Sequence, residues 1–312
     1  MVLYHSVRID MVHYCRLEAH LAEKRKKTSH LDRNGIPTNP ALARLRLFRR
    51  TVREDPIRIG KVVQFLKTPF MIRESWQVEL AQTIAVLPNL QYVDLPERMF
   101  TDEPNNAMLR REVQVRCCKL RKIAYSRGSE CWLVGLASQQ VWLWLEVLEL
   151  NSLDVDPLAM RAVLASLTRL RALKVTKTHS FSDELMAFDD GLPPLVALEE
   201  LILKDTPRMT TVGLIKYLSS YETQNALKVL TLEDTGVQSS QLQEVLVVTP
   251  SLRTLAFQAK VSEPFPSAKW PQLLASAKLK TLRFEISETP DAAFTIVVAD
   301  LKARKNPNQS RL

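Results

Sequence analysis

The sequence has few glycines and no long apolar segment, and each shortage argues against a class of function. Only 7 of its 312 residues are glycine, and no G-x-G-x-x-G, P-loop or G-x-S-x-G motif occurs. Glycine-rich loops around a bound phosphate therefore have no support, and we expect no cofactor. No run of 18 apolar residues is present, so we expect no membrane-spanning helix. The opening MVLYHSVRID lacks the apolar core of a secretory signal.

Cysteine is also scarce, and its spacing suggests neither disulfides nor a metal site. Cys15, Cys117, Cys118 and Cys131 contain no C-x-x-C spacing. We predict reduced, buried thiols in an intracellular protein of the cytoplasm, the nucleus or both. The histidines, at positions 5, 13, 20, 30 and 179, have no metal-ligand spacing. We therefore predict a protein without metal, cofactor or enzymatic activity.

What the sequence does contain is a repeated L-x-x-L-x-L spacing. Its first apolar residue recurs at Leu90, Leu120, Leu145, Leu170, Leu198, Leu227, Leu252 and Leu279. The steps are 25 to 30 residues long, close to the period of leucine-rich repeats. Segments with helical periodicity lie between the runs, so each strand returns after a helix and must pair in parallel. The sequence predicts an α/β leucine-rich-repeat solenoid, a curved horseshoe with strands on the concave face and helices on the convex face.

The chain divides into a basic head and a repeat array. We place a mainly helical N-terminal region at residues 1–58, with an initial strand, helices at 11–27 and 41–53 and a loop at 28–40. The array follows at 59–312, with one irregular repeat, eight clear repeats and a capping helix at about 291–303. Residues 1–60 carry 13 Lys/Arg and 6 Asp/Glu, so the head supplies most of the net charge of +9.

Two helix starts in the array have recognisable signals. Asp156 followed by Pro157 predicts an N-cap and a helix that extends to about Leu167. Ser240 with Gln243 predicts a capping box.

The residues between the repeated leucines are our candidates for partner contacts, because side chains alternate in a strand and these face the concave surface. They are Tyr92, Asp94, Lys122, Glu149, Asn151, Lys174, Thr176, Ile202, Lys204, Thr231, Glu233, Gln258, Arg283 and Glu285. They are mixed in charge and form no continuous Lys/Arg stripe, which argues against nucleic acid on this face. A protein partner is the favoured ligand, although a solvated face would have similar composition.

The basic head gives a second candidate surface. Its residues are Lys24, Arg25, Lys26, Lys27, Arg46, Arg49, Arg50 and Arg53. They are candidates for a nuclear-import signal or for contacts with RNA or an acidic partner. A solvated helix face is the alternative, and no aromatic residues alternate with these cations as single-strand binding prefers.

The segment Leu66–Pro96, LKTPFMIRESWQVELAQTIAVLPNLQYVDLP, and the opening MVLYHSVRID resemble the leucine-rich-repeat part of filamentous-fungal F-box-type proteins. In that family an N-terminal F-box binds a Skp-type adaptor of a cullin ubiquitin ligase, and the repeats recruit the substrate. No L-P-x-E-[IV]-type opening precedes Leu3. The resemblance therefore implies substrate recruitment, and adaptor binding only if an F-box lies upstream of Met1.

These observations predict a non-catalytic interaction scaffold, monomeric outside its complex, that resembles the substrate-recruiting repeats of an F-box ubiquitin-ligase subunit. Two alternatives stay open. One is a nucleic-acid or nuclear binding protein that uses the basic head, and the other is a structural repeat protein with no retained partner.

Overall fold

The computed structural model describes residues 4–9, 40–68, 76–95, 101–139, 141–186, 191, 193–261, 276, 278–288 and 296–298. The chain forms two compact units, Met1–Glu149 and Leu150–Leu312. The predicted helix at 11–27, with Cys15 and the cluster Lys24–Lys27, lies outside the described residues, as does nearly all of the predicted 28–40 loop. The proposed division at residue 58 stays a prediction.

The first unit alternates short strands with helices. Its strands are β1 (Ser6–Arg8), β2 (Phe65–Lys67), β3 (Tyr92–Asp94), β4 (Lys122–Ser126) and the first residues of β5 (Val147–Asn151). Its helices are α1 (Pro40–Glu54), α2 (Gln77–Ile84), α3 (Ala107–Arg116) and α4 (Glu130–Gln139). The strands β1 to β4 pair in parallel and in chain order. The initial strand of the basic head is therefore the first strand of the ladder.

The second unit continues the same alternation after β5. Its strands are β6 (Ala172–Thr176), β7 (Glu200–Thr206), β8 (Val229–Thr235), β9 (Thr254–Val261), β10 (Thr281–Glu288) and β11 (Ile296–Val298). Its helices are α5 (Pro157–Ser166), α6 (Asp183–Met186), α7 (Thr211–Tyr217), α8 (Tyr221–Ala226) and α9 (Leu242–Val248). The strands β6 to β10 pair in parallel, each with the next in the chain. The predicted α/β repeat fold with parallel strands is confirmed.

The core consists of the repeated apolar residues. In β8, Leu230 and Leu232 are fully buried, while Val229 and Thr231 are half-buried. The same alternation holds in β6, β7 and β9. Burying one such leucine contributes roughly 1.5–3 kcal/mol, so the L-x-x-L-x-L spacing accounts for the stability of the fold. Among the described residues, no helix is both long and apolar enough to span a bilayer.

Each of four successive repeats has a residue with positive φ directly after the core of its strand. These residues are Ser152, Lys177, Asp205 and Asp234, with φ between 50° and 54°. Their backbone still joins the ladder, since Lys177 N donates to Lys204 O at 2.9 Å. The left-handed conformation costs about 1–2 kcal/mol for an ordinary L-residue and less for Asp. Its recurrence makes it a fixed element of the repeat, at or next to the last residues of the strand.

Helix starts are fixed partly by local and partly by distant residues. The predicted N-cap is confirmed, because Asp156 Oδ2 accepts hydrogen bonds from Leu158 N and Ala159 N at 3.0 Å. The start of α4 is capped instead by Asp102, which accepts from Cys131 N at 2.9 Å and Trp132 N at 3.2 Å. The sequence gives no signal for that cap, because helix α3 and strand β4 both lie between Asp102 and α4 in the chain.

Three sequence predictions are corrected. The capping helix predicted at 291–303 is wrong for Ile296–Val298, which form β11 antiparallel to β10. The β-branched run Ile296-Val297-Val298 suits a strand, and the strand satisfies the free edge of β10. The capping box is also wrong, because Ser240 lies in a 3-10 turn (Ser239–Gln241) and α9 begins at Leu242 without a side-chain cap.

The third correction concerns the thiols. Cys117 is buried at the end of α3, as predicted, but Cys118 and Cys131 are exposed. Burial, together with neighbouring Cys118 and Glu112, raises the pKa of the Cys117 thiol to about 12. This thiol therefore stays protonated at neutral pH and behaves as a packing group.

Candidate functional site

The open face of the sheet is the side formed by the strand residues that alternate with the buried ones. In the first unit, parallel register aligns Ser6, Phe65, Tyr92 and Lys122 in one row across β1 to β4. A second row contains Arg8, Lys67 and Asp94. The candidate residues Tyr92, Asp94 and Lys122 therefore lie on one surface.

These two rows border a depression in the first unit. It has a volume of about 230 Å³, and Phe65, Tyr92, Asp94, Lys122 and Glu149 are among its lining residues. Four of these five are candidates from the sequence. Phe65 was missed, because it belongs to the irregular repeat, whose register the leucine spacing did not reveal.

The apolar part of the depression is a pair of stacked aromatic rings. The Phe65 and Tyr92 rings have centroids 4.4 Å apart and are almost parallel, with 2° between their planes. His5 lies beside Phe65, with centroids 5.0 Å apart, and its Nε2 is 2.8 Å from Gln64 Oε1. Both stacked residues are only half-buried. Two aromatic side chains are thus held in fixed orientation while their outer surface stays accessible.

Two ion pairs stand beside the aromatic rings. Lys67 Nζ lies 2.8 Å from Asp94 Oδ2, and Lys122 Nζ lies 2.9 Å from Glu149 Oε1. These four side chains are between 31% and 52% exposed, so each pair contributes only about 0–1 kcal/mol to stability. Their more important effect is positional, because each pair holds a cation and an anion next to an apolar centre.

The size and chemistry of the depression fit a protein side chain better than a cofactor. Pockets for drug-sized ligands have volumes of roughly 300–1,000 Å³, and this one is smaller. An aromatic centre surrounded by charged groups resembles the buried anchor and polar rim of protein interfaces. Among the described residues, no group of three or more His, Cys, Asp or Glu is arranged to hold a metal ion.

The second unit presents the remaining candidates in two aligned rows on its own open face. One row is Lys174, Ile202, Thr231, Ala256 and Arg283, and the other is Thr176, Lys204, Glu233, Gln258 and Glu285. Lys204 pairs with Glu233, and Arg283 pairs with Glu285 at 3.3 Å. Asn151, at the end of β5, is half-buried. Charges on this face are therefore largely paired with each other.

The basic patch predicted on α1 is partly neutralised by the next helix. Glu79 on α2 accepts from Arg46 Nε at 2.8 Å and pairs with Arg49 at 2.9 Å. Arg50 pairs with Glu54 within α1 at 3.1 Å, whereas Arg53 is exposed. The arginines thus join two helices, which leaves less unpaired charge for a polyanion than the sequence suggested.

One charged row was missed by the sequence reasoning. It consists of the residues that immediately precede the second-unit strands, at the position after the first leucine of each repeat. Its members are Arg171, Glu199, Lys228, Arg253 and Lys280. Glu199 binds two of them, with Lys228 Nζ at 2.6 Å and Arg171 Nε at 2.8 Å. The signal was available in the sequence, since this position is charged in five successive repeats.

The two cations lower the pKa of Glu199, the hydrogen bond from Lys228 having the largest effect and that from Arg171 the next. We expect Lys228→Met to raise this pKa towards its ordinary value, because the strongest donor to the carboxylate is removed. Carboxyl-carbon NMR titration of Glu199 measures the change. Lys204→Met removes an ion pair elsewhere in the unit and should leave the Glu199 pKa unaltered. An unaltered pKa in Lys228→Met would contradict the assignment.

Because its pKa is lowered in the folded protein, Glu199 makes the free energy of unfolding depend on pH. A carboxyl group whose folded pKa is lowered stabilises the fold above its unfolded pKa, and this contribution disappears as the pH falls through the folded pKa. The difference in unfolding free energy between wild type and Glu199→Gln should therefore be greatest near neutral pH and should vanish in acid.

Comparisons with known proteins show the fold and no more. No protein-family model and no curated protein sequence matches this chain. A chain in the crystal structure of the Rad7 and Elc1 complex in yeast matches with a TM-score of 0.51 and 19% sequence identity. The match covers 75% of this chain and 59% of that chain, so this protein spans little more than half of its structural neighbour. The chain has the α/β repeat fold of that neighbour.

Proposed function

We propose that this protein is a non-catalytic interaction scaffold that binds a protein partner through the open face of its first unit. The observation that carries the proposal is the Phe65–Tyr92 stack beside the ion pairs Lys67–Asp94 and Lys122–Glu149. An aromatic anchor with charged neighbours supplies both affinity and orientation for a protein side chain. The second-unit rows around Lys174 and Glu233 are proposed as additional contacts.

The proposal extends to the biological role suggested by the sequence resemblance. We infer that the partner is the substrate of a ubiquitin ligase and that the protein acts inside the cell, as a monomer outside its complex. The structural neighbour was solved as a complex of Rad7 with Elc1, which supports a protein partner for this fold. We further propose that a Skp-type adaptor binds only a form of the protein that carries an F-box.

The proposal is tested by the variant Tyr92→Ala in a quantitative affinity purification. Truncating an interface anchor costs about 2 kcal/mol or more, which is about thirtyfold in affinity. We expect the proteins recovered with wild-type chain to be depleted to that extent, as quantified by mass spectrometry. Tyr221→Ala is the matched control, because Tyr221 is a tyrosine on α8 that is 80% exposed. Equal recovery with both variants would refute the site.

A second variant separates binding from folding. Reversing the charges of Glu149, Lys174 and Arg283 alters only open-face residues, so circular dichroism should show an intact fold while partner recovery falls. In the same assay, a purified Skp-type adaptor should not bind the chain. Adaptor binding would indicate an F-box-like surface within residues 1–60. The open-face proposal would then be decided by the recovery of partners with Tyr92→Ala alone.

A further inference from the structure

Lys228, Arg253 and Lys280 form a line of adjacent cations at the amino ends of β8, β9 and β10. Arg253 N donates to Lys228 O, and Lys280 N donates to Arg253 O, both at 2.8 Å. Neighbouring strands are about 4.8 Å apart, so the three residues span roughly 10 Å. The side-chain contacts of the preceding members, Arg171–Glu199 and Glu199–Lys228, show that residues at this position lie beside one another.

Among the described residues, too few carboxylates lie beside this line to balance its positive charge. Glu199 is shared between Arg171 and Lys228. Within the part of the chain that the structure describes, no carboxylate lies within ion-pair distance of Arg253 or Lys280, and both are exposed. Lys278, also exposed, adds a further cation two residues before Lys280. Like charges at this spacing repel each other, so an anionic ligand would relieve an unfavourable arrangement.

We propose that this line, the basic row Lys228–Arg253–Lys280, binds an extended acidic segment of a protein. In an extended chain, alternate residues lie on the same side and are about 6.6–6.8 Å apart. Two or three alternate Asp or Glu side chains therefore cover the length of the row. Each carboxylate gains a charge-assisted hydrogen bond, for which the guanidinium of Arg253 offers a bidentate geometry.

Carboxylates near the row favour an acidic peptide over a nucleic acid. Glu199 belongs to the same charged row, and the next residue, Glu200, is half-buried at the start of β7. A nucleic-acid backbone carries a charge at every nucleotide and needs many phosphate contacts for affinity. A peptide can place its few charges opposite the cations and neutral residues opposite the carboxylates. The basic row lies in the second unit, so the inference does not depend on the aromatic site of the first.

The test uses a fluorescein-labelled hexaglutamate peptide and the full chain in fluorescence anisotropy at low ionic strength. We expect Arg253→Glu combined with Lys280→Glu to weaken binding by about tenfold or more, because two exposed attractions become repulsions. The neutral pair Arg253→Gln and Lys280→Gln should have a smaller effect in the same direction. Added salt should weaken binding to wild type.

Arg208→Glu combined with Lys216→Glu is the matched control. Arg208 follows β7, Lys216 is on α7, and both are exposed. This variant therefore changes the net charge by as much as the Arg253/Lys280 variant does, while the basic row stays intact. Any peptide affinity of the basic head is common to all variants. Equal affinity of wild type and the Arg253/Lys280 variants, or no binding to wild type, would overturn the proposal. If a decauridylate RNA binds the wild-type chain more tightly than the hexaglutamate peptide does, and the Arg253/Lys280 variants lose this binding, the row is assigned to nucleic acid instead.

Discussion

Leu230→Ala is expected to lower the free energy of unfolding by about 2–5 kcal/mol, the range for removing a fully buried leucine side chain. Leu230 is completely buried in β8. It is paired in register with Leu201 on β7 and Leu255 on β9, which are also fully buried. Neighbours held in two flanking strands cannot move in to fill the space, so a cavity remains. Chemical denaturation followed by circular dichroism measures the loss.

The adjacent residue provides the control for this prediction. Thr231 is in register with Ile202 and Ala256 on the open face and is half-buried. Thr231→Ala should change stability by less than about 1 kcal/mol, the span of strand propensity. The contrast between two consecutive residues tests the register of β8 against β7 and β9, because a slip by one position would exchange their environments. Comparable losses in both variants would show that the register is wrong.

Gly236→Ala is expected to have the second largest effect, a loss of about 1–3 kcal/mol from overpacking. A Cβ at this position would collide with the carbonyl oxygen of Pro207 and lie 2.9 Å from that of Met209. Both obstacles are backbone atoms, which cannot rotate away as a side chain does. The amide of Gly236 also donates to Met209 O at 3.0 Å, so relief of the collision would stretch the contact between neighbouring repeats.

Gly191→Ala is the matched control for Gly236→Ala. Gly191 is exposed, and a Cβ at this position would have no neighbour within 4 Å. Replacing glycine at a permissive position restricts the unfolded chain and stabilises a protein by about 0.4–1 kcal/mol. The two variants should therefore shift the midpoint of denaturation in opposite directions. A neutral Gly236→Ala would show that β8 and the Pro207 turn are not in close contact.

The local pattern of burial was determined by the sequence alone. The L-x-x-L-x-L spacing identified β3 to β10 and the buried residues of the strands from β4 onwards, such as Leu148 and Leu173. Asp156-Pro157 located the start of α5. These features depend on residues within a few positions of each other, where side-chain alternation and capping are set by backbone geometry.

Only the tertiary structure decided which distant side chains meet. The Phe65–Tyr92 stack, the pairing of Arg46 and Arg49 with Glu79, and the Asp102 cap of α4 join residues 27 to 33 positions apart. The replacement of a predicted capping helix by β11 likewise depends on the free edge of β10. Repeat lengths vary from 25 to 30 residues, so the leucines fix the core of each repeat but not which loop and helix residues meet between repeats. The sequence by itself therefore determined the repeat and its inward residues, whereas register between strands determined the surfaces on which we propose that partners bind.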